Sequence, residues 1–301
     1  MIGPNNSAIA IRKPDGEIEV KKEDIIKRDW LSKIFIVRGV VNLFRQMVLV
    51  FKALMYSASF LELEDETVEE EPSKFEQTMK KIFGDKFGDV LIGFSVVLSI
   101  CFSVGLFILL PNVITSFLKS TIFAGAANLD GFSVSGIILH LIEGVVKISI
   151  FIVYMMLASK MEDIKRVWMY HGAEHKTISC YEAGEELTVE NIRKYSVRHP
   201  RCGTSFMVIV MVISIILFAF TGWWSLWVNL VIRILLIPVV AGVSFEVLRW
   251  AGRSENKCVQ IINKPGQWFQ ALTTAEPDDA MLEVAIAAMT NVLVEDDSDV
   301  L

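Results

Sequence analysis

The sequence has little that is typical of a secreted or nucleic-acid-binding protein. Its 301 residues include only four cysteines, and acidic residues outnumber basic ones to give a formal charge of -6. The negative charge gives no basis for nucleic-acid binding. Cys101 falls within an apolar run, and we expect the other cysteines to face the cytosol, so a disulfide framework is not expected.

The first 17 residues contain no apolar core of a signal peptide, so we expect insertion to rely on internal spans. The chain is instead rich in apolar residues, which make up 53% of it, and its mean hydropathy is +0.48. A soluble domain of this length would be less apolar. The sequence therefore predicts a mainly α-helical, polytopic membrane protein with the lipid bilayer as its partner.

Four apolar segments approach the length of about 20 residues that a spanning helix needs. They are residues 90–114, 134–158, 204–220 and 224–248, which we group into transmembrane hairpins at 87–158 and 204–248. Trp223, Trp224 and Trp227 follow a tight turn, and such residues are typical of a membrane–water interface.

The flanking segments are more polar. Residues 1–29 contain a predicted β-hairpin around Gly16. Residues 30–60 place Arg38, Asn42, Arg45 and Lys52 on one helical stripe, which favours an amphipathic interfacial helix, the alternative being a buried helix of the bundle. Residues 61–86 form an acidic linker.

Basic residues determine the expected orientation. They are concentrated in the loop 159–203, whereas the connection between the first two spans has only Lys119. The positive-inside rule therefore predicts that this loop and both termini are cytoplasmic. In the C-terminal segment 249–301, we expect a helix that starts within Glu276-Pro-Asp-Asp279 and packs on this loop through an apolar face, followed by an acidic tail.

Several ionisable or polar residues fall inside the predicted spans. His140, Glu143 and Lys147 share one face of the second span, and Asn229 and Arg233 share one face of the fourth. Glu143 and Arg233 have opposite charges and lie at equal depth, so we expect them to pair. The pair is either structural or part of a polar cavity for a substrate or an ion.

The sequence His171-Gly-Ala-Glu-His175 carries the clearest chemical pattern. Two histidines four residues apart lie on one face of a helix and are able to bind one metal ion. Glu174 lies beside them as a candidate general base for hydrolysis. The order His-x-x-Glu-His is that of the inverzincin peptidases.

A catalytic zinc usually has three protein ligands. The sequence leaves three candidates for the third ligand, Cys202, His199 and Glu246, and favours zinc or another divalent metal. Two other readings stay open. One is a polar cluster without metal, and the other is Cys202 as a nucleophile with His175 or His199 as its base.

Three segments resemble the bacterial YqhQ-type membrane-protein family: 170–177, 199–206 and 273–279. Arg38-Gly-Val-Val41 and Ser244-Phe-Glu246 are also similar to its pattern, so the resemblance covers nearly the whole chain. It implies a protein of the bacterial inner membrane. The family is described in general terms as predicted metal-dependent enzymes, which implies a metal site at the histidines without specifying a reaction.

The sequence thus favours a multi-pass membrane protein with a cytosolic metal site that performs hydrolysis of a peptide or lipid-linked bond. One alternative is an accessory protein for membrane-protein insertion or assembly, with a membrane-protein partner. A transporter built on the intramembrane polar residues is a further alternative. The oligomeric state is left open.

Overall fold

The computed structural model describes residues 1–3, 6–25, 30, 34–65, 87–122, 133–199, 202–253 and 264–293. Within these ranges the chain is mainly helical, with one small antiparallel hairpin, as the sequence predicts. The acidic linker beyond residue 65 and the acidic tail beyond residue 293 lie outside the described residues.

The elements follow one another in a simple order. Strands β1 and β2 come first, then helices α1 to α9: β1 Asn6–Arg12, β2 Ile18–Asp24, α1 Val37–Asp65, α2 Phe87–Val104, α3 Leu110–Ile122, α4 Val134–Ala158, α5 Glu162–Glu182, α6 Val189–Arg193, α7 Thr204–Ala219, α8 Leu226–Arg253 and α9 Asp279–Thr290. A π-helical turn, Gly105–Leu109, joins α2 to α3, and a short 3-10 turn, Gln270–Leu272, precedes α9.

The chain divides into two compact units. One consists of Met1–Leu54, Ile152–Ser214 and Ile237–Leu301, and the other consists of Met55–Phe151 and Ile215–Leu236. We call them the first and the second unit. The histidine motif lies in the first unit. Glu143 and Arg233 lie in the second.

Four helices in the described ranges are long and apolar enough to cross a membrane, which agrees with the predicted number. They are Val37–Ser57, Gly93–Thr121, Val134–Ala158 and Leu226–Ala251. The membership differs from the prediction, because α1 qualifies by length and the described part of α7 is a shorter apolar helix. Helix α1 also begins at Val37 rather than at residue 30, directly after Ile36, whose φ of 68° is not helical.

The first unit contains a small core beneath the histidine motif. Helix α9 starts where the sequence predicts it, because the side chain of Asp278 accepts a hydrogen bond from the N–H of Met281 at 2.8 Å. Its buried face is the predicted apolar face: Met281, Leu282, Val284, Ala285, Ala288 and Met289. Leu282 packs with Ala173 of the motif, and Met289 packs against Ala8 of β1. The hairpin, the histidine helix and the C-terminal helix therefore form one packed body.

The hairpin has the predicted turn. Ala10 lies opposite Val20, and the N–H of Gly16 donates to the carbonyl of Lys13 at 2.9 Å. Gly16 has a φ of 90°, a conformation that costs glycine little.

Candidate metal centre

Helix α5 places the two motif histidines side by side. It runs unbroken from Glu162 to Glu182, so His171 and His175 lie one turn apart on the same face. The centroids of their rings are 4.3 Å apart. The helical spacing assumed from the sequence is therefore present.

Backbone carbonyls orient both rings in the same way. Nδ1 of His171 lies 2.7 Å from the carbonyl oxygen of Thr273, and Nδ1 of His175 lies 2.6 Å from that of Val197. Because a carbonyl oxygen only accepts hydrogen bonds, each Nδ1 carries the hydrogen. A neutral ring then keeps its lone pair on Nε2, which is the arrangement found in metal-binding histidines.

Cys202 supplies the third atom of the cluster. Its Sγ lies 3.3 Å from Nε2 of His171. The ligand atoms of His171, His175 and Cys202 all lie within 4.8 Å of one another, and within the described ranges this is the group whose geometry suits a metal ion. Cys202 directly precedes α7, and the N–H and Oγ1 of Thr204 donate to Sγ at 3.4 and 3.2 Å.

The surroundings of Cys202 favour a thiolate. Burial alone would raise the pKa of this thiol, but hydrogen bonds from the protonated Nε2 atoms of His171 and His175 and from Thr204 lower it to about 5. Burial likewise disfavours the charged form of His171, yet its hydrogen bonds to Cys202 and Thr273 raise its pKa. A thiolate suits a metal ligand and a nucleophile equally. The presence of two imidazoles beside Cys202 favours a metal ligand, because activating a nucleophile needs only one base.

Gly172 allows the chain segment that orients His171 to approach α5 closely. The N–H of Ala275 donates to the carbonyl of Trp168 at 3.0 Å, which lays residues 273–275 along the helix. A Cβ on Gly172 would stand 2.1 Å from the carbonyl oxygen of Ala275. Glycine is a poor residue for a helix interior, and this close approach explains its presence in the motif.

Two ion pairs fasten the same segment. Lys176, which is 3% exposed, pairs with Glu276 and also donates to the carbonyl of Arg193 at 3.1 Å. Arg193 pairs in turn with Asp279 at the start of α9. Residues 273–279 are therefore held to α5 through Lys176 and to α6 through Arg193. We call these residues the C-terminal strap.

The other predicted ligands are engaged elsewhere. His199 is buried, with its Nε2 3.1 Å from a carboxylate oxygen of Glu182, and its ring centroid is 5.9 Å from that of His175. Glu246 forms an ion pair with Arg38 through both carboxylate oxygens. Neither residue belongs to the three-atom cluster.

Glu174 is half-buried, in the turn of α5 between the two histidines. Burial lowers the pKa of His171, whereas its hydrogen bonds to Cys202 and Thr273 raise it. The negative charge of Glu174 adds a smaller increase. The candidate base therefore lies near the cluster without being one of its three atoms.

The predicted intramembrane residues divide into two groups. Arg233 pairs with Glu143 as expected from their depth, and His140 lies beside Glu143. Asn229 instead bonds the backbone N–H and carbonyl of Trp224 at 3.0 Å each, which fixes the turn before α8.

Trp223 lies inside the second unit. It is 1% exposed, and its ring centroid lies 5.1 Å from that of His140. The ring therefore packs against His140 within the second unit, and its position at a membrane surface stays a prediction. Neither Trp223 nor the carbonyl of Thr273 had a sequence signal that marked it as part of a polar site.

These features define a mainly helical protein with four candidate membrane-spanning helices and a histidine–cysteine cluster. The chain belongs to the family described as "Protein of unknown function (DUF1385)", whose profile matches residues 34–295. It is 32% identical over 298 residues to "Uncharacterized protein YqhQ" of Bacillus subtilis (strain 168), a match that covers 97% of this chain and 88% of that protein. No solved structure matches the chain. The family resemblance is confirmed, and the description as a metal-dependent enzyme stays a prediction.

Gly172→Ala tests the close approach of the strap. The added methyl group would force residues 273–275 away from α5, and His171 would lose the carbonyl of Thr273 as its acceptor. We expect a loss of stability of about 1–3 kcal/mol from overpacking, measured as a lower melting temperature in detergent. The matched control is Gly184→Ala at a turn with a φ of 72°, where a Cβ meets nothing within 4 Å. Its cost comes from backbone strain alone, and a Gly172→Ala variant with the melting temperature of the wild type would contradict the close approach of the strap.

Proposed function

We propose that this protein binds a divalent transition-metal ion, zinc by its ligand chemistry, through His171, His175 and Cys202. The observation that supports this most is that ligand atoms of His171, His175 and Cys202 lie within 4.8 Å of one another, while each Nδ1 hydrogen is used by a backbone carbonyl. Two nitrogens and one sulfur form a set that zinc accepts readily.

The distances fit such an ion. Zinc bonds of about 2.0–2.3 Å in tetrahedral geometry place neighbouring ligand atoms roughly 3.5 Å apart. The distance between Nε2 of His171 and Sγ of Cys202 is 3.3 Å. Three protein ligands leave one open position, which is typical of catalytic rather than structural zinc.

We propose that the site performs hydrolysis with Glu174 as general base. A zinc ion with an open position supplies Lewis-acid chemistry for this reaction class. Glu174 is the carboxylate of the histidine turn, and neither ion pair of the strap uses it. The site also lies at the ends of apolar helices, because α5 follows α4 after three residues and Cys202 directly precedes the start of α7. A peptide or lipid-linked bond near the membrane surface is therefore the substrate class we assign.

Metal analysis of the purified full-length protein tests the site. We expect about one zinc ion per chain in the wild type, and loss of that zinc in Cys202→Ser and in a His171→Ala, His175→Ala double variant. Cys180→Ser is the matched control, because Cys180 is buried outside the cluster. A folded wild-type protein without metal, or zinc retained by the double variant, would contradict the proposal.

Glu174→Gln separates hydrolysis from metal binding. We expect this variant to keep its zinc and to lose about 10²–10⁴-fold of the zinc-dependent hydrolysis of chromogenic peptide and ester substrates, which is the usual size of a general-base effect. Glu190→Gln, which neutralises an exposed carboxylate in the same loop, should keep full activity. Unchanged hydrolysis in Glu174→Gln would reject the assigned base.

We also propose a membrane topology. Hairpin β1–β2, helix α5 and helix α9 pack on one another, so they share one side of the membrane. An even number of crossings must then separate β2 from α5. The long helical run 87–122 and α4 supply two, so α1 lies on the surface. An even number of crossings must likewise separate α5 from α9. If α8 crosses the membrane, α7 must therefore cross it as well, even though α7 is short. The basic residues of the loop 159–203 support the cytosol as this shared side.

Sandwich fusions of alkaline phosphatase in the full chain test this topology, because the enzyme is active only outside the cytosol. We expect an inactive reporter after Asp65 and an active one after Ile122. A fusion after Gly184, in the loop of the histidine helix, is the cytosolic control. Activity after Asp65 with none after Ile122 would show that α1 crosses the membrane and would refute its position on the surface.

A further inference from the structure

The second unit contains a group of ionisable side chains away from water. Helix α4 contributes His140, Glu143 and Lys147 from one face, and α8 contributes Arg233. His140, Glu143 and Arg233 are each 2% exposed. We call these four residues the intramembrane cluster. None of them takes part in the metal centre.

The hydrogen of His140 lies on the nitrogen that points away from the cluster. Nε2 of His140 is 3.1 Å from the carbonyl oxygen of Gly222, which only accepts, so Nε2 carries the hydrogen. In the neutral ring, Nδ1 is then an acceptor. It faces a carboxylate oxygen of Glu143 at 3.6 Å and has no hydrogen-bond partner among the described residues.

The ion pair is also incomplete. Nη2 of Arg233 contacts Oε2 of Glu143, whereas Nη1 of Arg233 and Oε1 of Glu143 are buried without a partner in the described part of the chain. A buried polar atom without a partner is costly and calls for a ligand or for water. The cluster therefore contains a donor atom on Arg233 and acceptor atoms on Glu143 and His140 that have no partner among the described residues.

The cluster has more positive than negative charge. It contains two cations, Lys147 and Arg233, and one carboxylate. The ammonium of Lys147 lies 4.9 Å from the ring centroid of Phe218, and Cζ of Arg233 lies 5.8 Å from the same centroid. Both cations thus border one aromatic ring. An uncompensated cation inside a membrane is expensive, so a bound monoanion would stabilise the cluster.

A cavity leads toward these residues. It has a volume of about 310 Å³ and is open to one side. Its lining comes from the start of α4 and the turn after α7: Ser133, Val134, Ile137, Ala219, Phe220 and Gly222. Gly222 is the residue whose carbonyl holds His140, and Ile137 precedes His140 by one helical turn. The cavity therefore ends beside the hydrogen-bearing Nε2 side of His140, at the edge of the cluster.

We propose that the intramembrane cluster binds a small oxyanion of single charge that retains a hydroxyl hydrogen, of the dihydrogen phosphate type. Its charged oxygens accept from Nη1 of Arg233 and from Lys147. Its hydroxyl donates to Oε1 of Glu143 or to Nδ1 of His140. Sulfate has no hydrogen at neutral pH, so the same two acceptors repel it.

Binding of radiolabelled phosphate to the purified full-length protein in nanodiscs tests this assignment. We expect saturable binding that sulfate displaces at least tenfold less well than unlabelled phosphate does. Lys147→Met, which keeps the chain length and removes the charge, should weaken phosphate binding at least tenfold. Lys119→Met, the same change near the end of α3, should leave it unaltered.

A second variant tests the acceptor. Glu143→Gln replaces one carboxylate oxygen with a donor amide, so we expect the preference for phosphate over sulfate to shrink or reverse. If this variant does not fold, as judged by its melting temperature, the comparison of Lys147→Met with Lys119→Met decides alone. No saturable phosphate binding by the wild type, or equal binding by the two lysine variants, would overturn the proposal. Cys202→Ser should bind phosphate normally, so failure of the metal site and failure of this site are distinguishable.

Discussion

The candidate metal centre depends on the contact between the backbone of the C-terminal strap and helix α5. At Gly172 the helix has no side chain, so the carbonyl of Ala275 reaches its surface and the carbonyl of Thr273 reaches Nδ1 of His171. The direction in which Nε2 of His171 points follows from this contact. A larger residue at 172 would separate the two backbones, and the ring would lose the group that selects its tautomer.

The energy that holds this contact comes mostly from the apolar core beneath it. Burying a large apolar side chain such as Leu282 stabilises the fold by about 1.5–3 kcal/mol, and α9 buries a complete face against α5 and β1. The ion pair between Arg193 and Asp279 is half exposed or more on both sides and adds little. The core thus supplies stability, whereas the polar contacts of the strap determine geometry.

The local features of this chain were predictable from sequence because they depend on neighbouring residues. Helical spacing placed His171 beside His175, and the acidic residues of a first turn located the start of α9 within residues 276–279. The choice among the candidate third ligands was not predictable. It depends on partners distant in the chain, since Arg38 engages Glu246 across 208 residues and leaves Cys202 beside the histidines. Spacing alone contains no information about such competition.

One physical rule connects the metal centre and the intramembrane cluster. In each, a backbone carbonyl fixes which ring nitrogen carries the hydrogen: Thr273 acts on His171, Val197 on His175 and Gly222 on His140. At the candidate metal centre both neutral rings direct a lone pair toward Cys202, an arrangement of electron donors that a proton or a metal cation relieves. In the cluster the lone pair of His140 faces a carboxylate next to an excess of positive charge. A cation there would meet Lys147 and Arg233, so the ligand must instead bring negative charge together with its own hydrogen. The same tautomer control therefore favours a metal ion at one site and a protonated anion at the other.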